Sequence, residues 1–178
     1  MKKIVVSIAI VAILFYGCSS GTQPTAVNAG TYTVPDEAAI KKAVDDAYAS
    51  LTYTTGNDAK LDSISYCFIP QAQLINFISD TAQILSISDF TKAYKNYIKT
   101  TNILNFKEEE IYGRTDQFGN IAQRISSYKT YVNSNDIVKE RGVNSFQLIK
   151  TPQGWKVSSI IWNVEKPGLS IPGAYLGQ

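Results

Sequence analysis

Residues 104–165 read as four long strands in succession, and no other feature restricts the possible folds as much. Three turn signals divide this stretch: a glycine-containing turn at Asp116 to Asn120, the polar loop Asn133-Ser134-Asn135-Asp136, and Thr151-Pro152-Gln153-Gly154. The segments between them, 104–115, 121–132, 142–151 and Trp155 to Glu165, are strands joined by short connections. Such connections make neighbouring strands antiparallel.

The period before Leu104 is helical. Val34-Pro35-Asp36-Glu37 opens a first helix, since proline suits the first turn and acids favour the positive end. Ile40, Val44, Ala47, Tyr48 and Leu51 then fall on one face, and Gly56-Asn57-Asp58 ends the unit. A shorter helix carries Leu61, Ile64 and Phe68 on one side and is expected to stop at Pro70. Gln73 to Ser79 and Ala82 to Ile87 read as short strand-like pieces. Ser88-Asp89 is expected to cap a third helix with Phe90, Tyr94, Tyr97 and Ile98 on its buried face. The last stretch, 167–178, is rich in glycine and proline and is expected to be irregular. The fold class is therefore α+β: three N-terminal helices packed on a curved, mainly antiparallel sheet, in one domain over 34–166.

The N-terminus reads as an address. Lys2 and Lys3 precede an uncharged run from Ile4 to Tyr16, thirteen residues and so too short to span a bilayer as a helix, which needs about 20. Residues 1–17 are thus a secretory signal. Leu14-Phe15-Tyr16-Gly17-Cys18 resembles the bacterial lipobox: Gly17 and Cys18 match, while Phe15 and Tyr16 depart from the usual leucine and small residue. The resemblance implies lipid on Cys18, with 18–33 a Ser/Gly/Thr/Pro-containing tether. It also places the domain in the bacterial cell envelope, held to a membrane through lipid. Ser19 stands where an aspartate would retain a lipoprotein in the inner membrane, so outer-membrane delivery is expected in a Gram-negative source. Cleavage after Ala29, in Val27-Asn28-Ala29, is the alternative, and gives a secreted or periplasmic domain.

Composition then excludes several chemistries. The chain has 17 basic and 15 acidic residues; losing Lys2 and Lys3 with the signal leaves 15 against 15, and the basic residues form no stripe, so nucleic acid is not an expected partner. No histidine is present, which removes Ser–His and Cys–His catalysis and the usual imidazole zinc site. With Cys18 lipidated, Cys67 has no intramolecular disulfide partner and reads as a small core residue between Tyr66 and Phe68. No cofactor and no metal is expected.

The closing stretch, Arg141-Gly142-Val143-Asn144-Ser145-Phe146-Gln147-Leu148-Ile149-Lys150, then Gly154-Trp155-Lys156-Val157 and Ile160-Ile161-Trp162, resembles the last hairpin of the nuclear-transport-factor-2-like superfamily, which includes the SnoaL-like polyketide cyclases. Tyr66-Cys67-Phe68-Ile69-Pro70-Gln71-Ala72 resembles that superfamily's short helix running into its first strand. The likeness covers residues 36–165. It implies a cone with a pocket at its wide end and a homodimer through the outer sheet face. Members range from isomerases, dehydratases and cyclases to transport adaptors, so the fold leaves function open. Its enzymes often use a histidine–aspartate pair, which this chain lacks.

A proton-transfer scheme with a carboxylate base and a tyrosine donor stays chemically open. Glu108 and Glu110 share a strand face with Phe106 and Tyr112, making Glu110 beside Tyr112 the first candidate pair and Asp62 a second base. The plain alternative is that Glu108-Glu109-Glu110 is a solvated edge segment and Asp62 helix surface. Arg124 and Tyr128 share a face of the second long strand, and an arginine inside the cone would favour an anionic ligand; a solvent-facing arginine is its alternative. Tyr48, Phe68, Tyr94, Tyr97, Phe146 and Trp162 divide between core and pocket lining, and Trp155 reads as a packing anchor. The expected function is non-catalytic binding of a small apolar ligand or a protein partner, with the isomerase- or cyclase-type enzyme and a structural dimerising module as alternatives.

Overall fold

The computed structural model describes residues 32–178, except Ile78 and Asp80 and the side chains of Asp58 and Ala59. The expected export signal, the lipid-bearing Cys18, the alternative cleavage point after Ala29 and the tether up to residue 31 lie outside the described residues. The compact unit runs Val34–Gln178, so the C-terminal stretch belongs to it.

Helix α1 spans Glu37–Leu51 and buries Ile40, Val44, Ala47 and Tyr48, the stripe its period prescribes. Its outer face carries Lys41–Asp45 and Lys42–Asp46 pairs one turn apart. Asp36 precedes the helix without capping it. Its carboxylate instead accepts from Gln117 Nε2 at 2.9 Å and Lys150 Nζ at 2.8 Å, while its N–H donates to Gln117 Oε1 at 3.0 Å. These bonds pin the start of α1 to the sheet.

A two-residue strand β1, Tyr53–Thr54, leads into a 3-10 stretch at Asp58–Cys67, where the sequence had suggested a short helix. Leu61 and Ile64 are buried as expected. Pro70 does not stop the helix: strand β2 already runs Phe68–Asn76, and the proline lies where pairing jumps from Phe68 to Gln73. Proline has no N–H for a ladder and is tolerated at such an irregularity. Strand β3 is Gln83–Ser86 and helix α2 is Ile87–Thr100. The cap of α2 is Ser86 rather than Ser88: its Oγ accepts from Asp89 N–H at 3.1 Å and donates to the Asp89 carboxylate at 2.7 Å. Tyr94 and Ile98 are buried, but Tyr97 is 47% exposed.

Strands β4 (Asn105–Phe118), β5 (Ile121–Val132), β6 (Val138–Thr151) and β7 (Gly154–Val164) form the expected meander. Gly119 and Gly154 turn two of the hairpins at φ +55° and +99°, where a side chain would be strained. The seven-stranded order is β1-β4-β5-β6-β7-β2-β3. Every neighbouring pair is antiparallel except β2 with β7, so the sheet is mixed. It is also curled: register shifts interrupt the β4–β5, β5–β6, β6–β7 and β2–β7 ladders, and each bulge bends its strand and adds twist. The helices fill the concave face, where Ile40, Val44 and Ile64 meet Leu74, Phe146, Leu148 and Val157 in one core.

The C-terminal stretch is irregular apart from a short 3-10 turn at Gly173–Tyr175. It lies on the other side of the sheet. Ser127 Oγ donates to the Tyr175 carbonyl at 2.5 Å, and Gly177 sits against the Tyr112 ring.

Candidate functional site

A cavity of about 280 Å³ opens between the curled sheet, α1 and α2. Large aromatic side chains make up much of its wall. Phe90 stacks on Tyr94 at 6.0 Å between centroids, Tyr94 meets Phe106 edge-on at 5.5 Å, and Phe90 meets Trp162 edge-on at 6.3 Å. Tyr48 packs edge-on against Phe146 at 5.6 Å. Helix α1 supplies Ala47, Tyr48 and Leu51; α2 supplies Phe90, Tyr94 and Tyr97; β2 supplies Phe68 and Leu74. The remaining lining comes from β4 to β7, and Tyr97, Lys139 and Glu140 are exposed at the rim.

One end of this apolar space is polar. Asn144 Nδ2 donates to Tyr48 OH at 2.9 Å and reaches Glu108 Oε1 at 3.4 Å; Tyr48 OH lies 2.7 Å from Ser126 Oγ. Tyr128 OH donates to Glu140 Oε1 at 3.2 Å. No cation lies within ion-pairing distance of Glu108 among the described residues. Burial pushes the Glu108 carboxyl up to about 8, against a partial pull downward from Asn144 and a further push from Glu140. Near neutral pH it therefore holds its proton. Burial also raises the Tyr48, Tyr94 and Tyr128 hydroxyls, with the nearby Glu108 acting in the same direction. Gly142 is needed here because a Cβ on it would stand 2.5 Å from Tyr128 OH and 2.6 Å from the Asn163 carbonyl.

The bulge in β4 decides which side chains share this space. Phe106, Glu108 and Glu110 pair with Val132, Thr130 and Tyr128, but Ile111 has no partner and the next pair is Tyr112 with Ser127. The extra residue moves Tyr112 to the opposite face, under the C-terminal stretch. The expected Glu110–Tyr112 pair is thus split across the sheet. Gly113, Thr115 and Gln117 take the inner face instead, opposite Ser126, Arg124 and Ala122.

Glu110 is inside the fold but is not a free base. Arg124 grips it through two bonds, Nε to Oε2 at 2.9 Å and Nη2 to Oε1 at 2.6 Å. Arg124 Nη1 also donates to Glu37 Oε1 at 2.8 Å and Thr115 Oγ1 at 2.5 Å. Burial alone would raise the Glu110 carboxyl; the guanidinium outweighs it and holds the group below its ordinary range. Arg124 and Glu110 side chains are only 4% and 8% exposed. The charge of Arg124 is therefore spent on two carboxylates, and it does not line the cavity. Of the two placements open to it in the sequence it takes the inner one, and the anion preference does not follow. Asp62 lies on the surface, 70% exposed and paired with Lys95.

The cavity lining thus contains Tyr48, Phe68, Tyr94, Tyr97, Tyr128, Phe146 and Trp162, and excludes Arg124, Glu110, Tyr112 and Asp62. Sequence inspection undervalued Glu108, and it passed over Asn144 and Glu140. The available signal was the alternation Phe106, Glu108, which places a carboxyl one strand period from an aromatic. Glu109, between Glu108 and Glu110, faces outward to Lys107 and Lys129, so the acidic triplet is solvated only in part. Among the described residues no group of three or more acids or cysteines could hold a metal.

No model of a protein family matches the chain, and the search of curated proteins gave no match. Solved structures do match. A protein of unknown function with a cystatin-like fold from Nostoc punctiforme superposes with a TM-score of 0.60 at 13% identity, over 77% of this chain and 96% of that one. A candidate dehydratase of the NTF2-like family from Streptomyces avermitilis gives 0.58 at 14% identity, over 75% and 99%. An NTF2-like protein of unknown function from Methylobacillus flagellatus gives 0.51 at 14% identity, over 76% and 97%. The fold is NTF2-like, or cystatin-like: a curled mixed sheet wrapped on helices. At these identities the likeness extends to the fold alone.

Proposed function

We propose that this domain binds a small, largely apolar molecule in the aromatic cavity, with the polar end fixing its orientation. One observation carries this: a cavity of about 280 Å³ stays open inside a packed fold, walled by rings and ending in Asn144, Glu108 and Tyr128. An apolar cavity of ~150 Å³ accepts benzene, so the space suits a molecule of one ring with a short chain, or two rings. Mostly apolar walls with a few convergent polar groups are the usual make-up of a ligand site. A screen of compact neutral aromatic compounds by thermal unfolding tests it. A ligand at 100 times its Kd adds about 2.7 kcal/mol, or roughly 5–10 °C in Tm for a domain of this size. No shift across the screen, with a crystal structure showing the cavity filled by its own side chains, would overturn the proposal.

A second reading, a proton-transfer enzyme, is favoured by the environment of Glu108, since a carboxyl near pH 8 beside tyrosine and amide donors is matched to acid–base work at neutral pH. The fold neighbour named as a candidate dehydratase supports this only as analogy. Deuterium exchange into the α-position of small ketones, followed by NMR, should then depend on the chain and vanish in Glu108→Gln; exchange no faster than buffer rules it out.

For location we propose lipid on Cys18, with the domain anchored to a bacterial cell-envelope membrane, the outer membrane in a Gram-negative source. The support is the Lys2-Lys3 start, the short apolar run and Gly17-Cys18; no helix among the described residues is long and apolar enough to cross a membrane. Labelling cells with a clickable palmitate analogue should mark the wild type and not Cys18→Ala. A homodimer through the sheet has support in exposed Phe118, Ile121 and Ile161 on the outer face, and sedimentation tests it.

A further inference from the structure

The charges around the cavity do not balance, and their sign says which apolar molecules it prefers. Two carboxyls, Glu108 from β4 and Glu140 from β6, face the same space. Arg124 could have offset them but is held by Glu110 and Glu37. Lys139, exposed at the rim, is the only cation among the lining residues. Glu108 has one weak protein contact, Asn144 Nδ2 at 3.4 Å, and no cation at ion-pairing distance among the described residues. The other groups facing it are the hydroxyls of Tyr48 on α1, Tyr94 on α2 and Tyr128 on β5. The rings of Tyr94, Phe106, Phe146 and Trp162 line the same space. Aromatic faces attract a desolvated ammonium by up to about 2 kcal/mol, and a buried carboxyl gains most from a partner of opposite charge.

We propose that the cavity is selective for an organic ammonium ion, a compact apolar body carrying one protonated amine that pairs with Glu108 and lies among the rings. The inference rests on the binding function proposed above and specifies its ligand class. It carries a proton signature. In the empty cavity burial keeps Glu108 protonated up to about pH 8. An entering ammonium pairs with the carboxylate, so binding releases that proton and tightens as pH rises towards 8. A neutral ligand accepting a hydrogen bond from protonated Glu108 would show the reverse, weakening as pH rises through 8.

The test uses three probes of one shape: phenethylamine, phenethyl alcohol and phenylacetate, titrated calorimetrically into the full chain and into Glu108→Gln. We expect the amine to bind about tenfold tighter than the alcohol near pH 8, a difference of about 1.4 kcal/mol, with phenylacetate weakest. The amine's affinity should rise about tenfold or more from about pH 6 to about pH 8. In Glu108→Gln the amine's advantage should disappear while alcohol binding stays within about threefold. The wild-type pH profile carries the test alone if that variant does not fold. An alcohol as tight as the amine near pH 8, an amine affinity that does not rise with pH, or an amine preference that survives in the variant overturns the inference and leaves apolar binding standing. Failure of all three probes defeats both.

Discussion

Replacing Glu108 by glutamine should change how stability depends on pH, in a direction opposite to that of most carboxylates. The native carboxyl titrates near 8 instead of 4.5 because it is buried without a cation. Between those values the folded chain holds a proton that the unfolded chain has released. Stability from this site is therefore complete below about pH 4.5 and drains as pH climbs to about 8. At about 1.4 kcal/mol per pH step, the gap from 4.5 to about 8 corresponds to a loss of as much as ~5 kcal/mol. Glutamine keeps the shape and the Asn144 contact without the ionisation. Urea unfolding followed by the fluorescence of Trp155 and Trp162, run from about pH 5 to about pH 9 for both proteins, isolates the site, because every other group cancels in the difference. The variant's advantage should grow by about 1.4 kcal/mol per pH step and level off near pH 8. A difference that is constant across the range refutes the assignment of Glu108 as a buried, unpaired acid.

Glu110→Ala should cost about 3–5 kcal/mol, since it strips the two-bonded partner from buried Arg124. The wild-type contribution of Glu110 runs opposite to that of Glu108: it is present above the ordinary carboxylate range and lost as pH falls through the depressed native value, so acid unfolding curves of the two proteins should converge at low pH. Gly142→Ala should destabilise by about 1–3 kcal/mol, because its Cβ meets Tyr128 OH and the Asn163 carbonyl together and the latter cannot rotate away. Denaturant midpoints measure both.

Most of the architecture was written in local pattern. The α1 stripe from Ile40 to Tyr48 and the glycine turns at Gly119 and Gly154 give helix, strands and hairpins without any tertiary knowledge. What failed was set by tertiary context. Pro70 looked like a helix stop because the gap in the β2–β7 ladder that accommodates it involves a strand some ninety residues away. The cap was a local miss instead: Asp89 stands three residues after Ser86, and that spacing rather than Ser88 makes the cap. The site was half legible for the same reason as Pro70. The aromatics Tyr48, Phe146 and Trp162 were recognisable as core or lining by type, but a single unpaired residue, Ile111, carried Tyr112 to the far face. Whether Arg124 faces inward or to solvent was open in the sequence, and its charge could not be judged without Glu37, which arrives from a helix start 87 residues away in sequence. Glu108 is the converse case: inside an acidic triplet it resembles surface, and only the closure of β4 against β5 and β6 makes it the cavity's acid.

Ligand binding by this domain requires a cavity that is open and takes an apolar guest. A crystal structure of the chain soaked with phenethyl alcohol measures this directly. We predict density for the ring among Phe90, Phe106 and Trp162, with its hydroxyl within hydrogen-bond reach of Glu108 or Asn144. Side chains of the protein filling that space, or the alcohol bound only elsewhere, would contradict it.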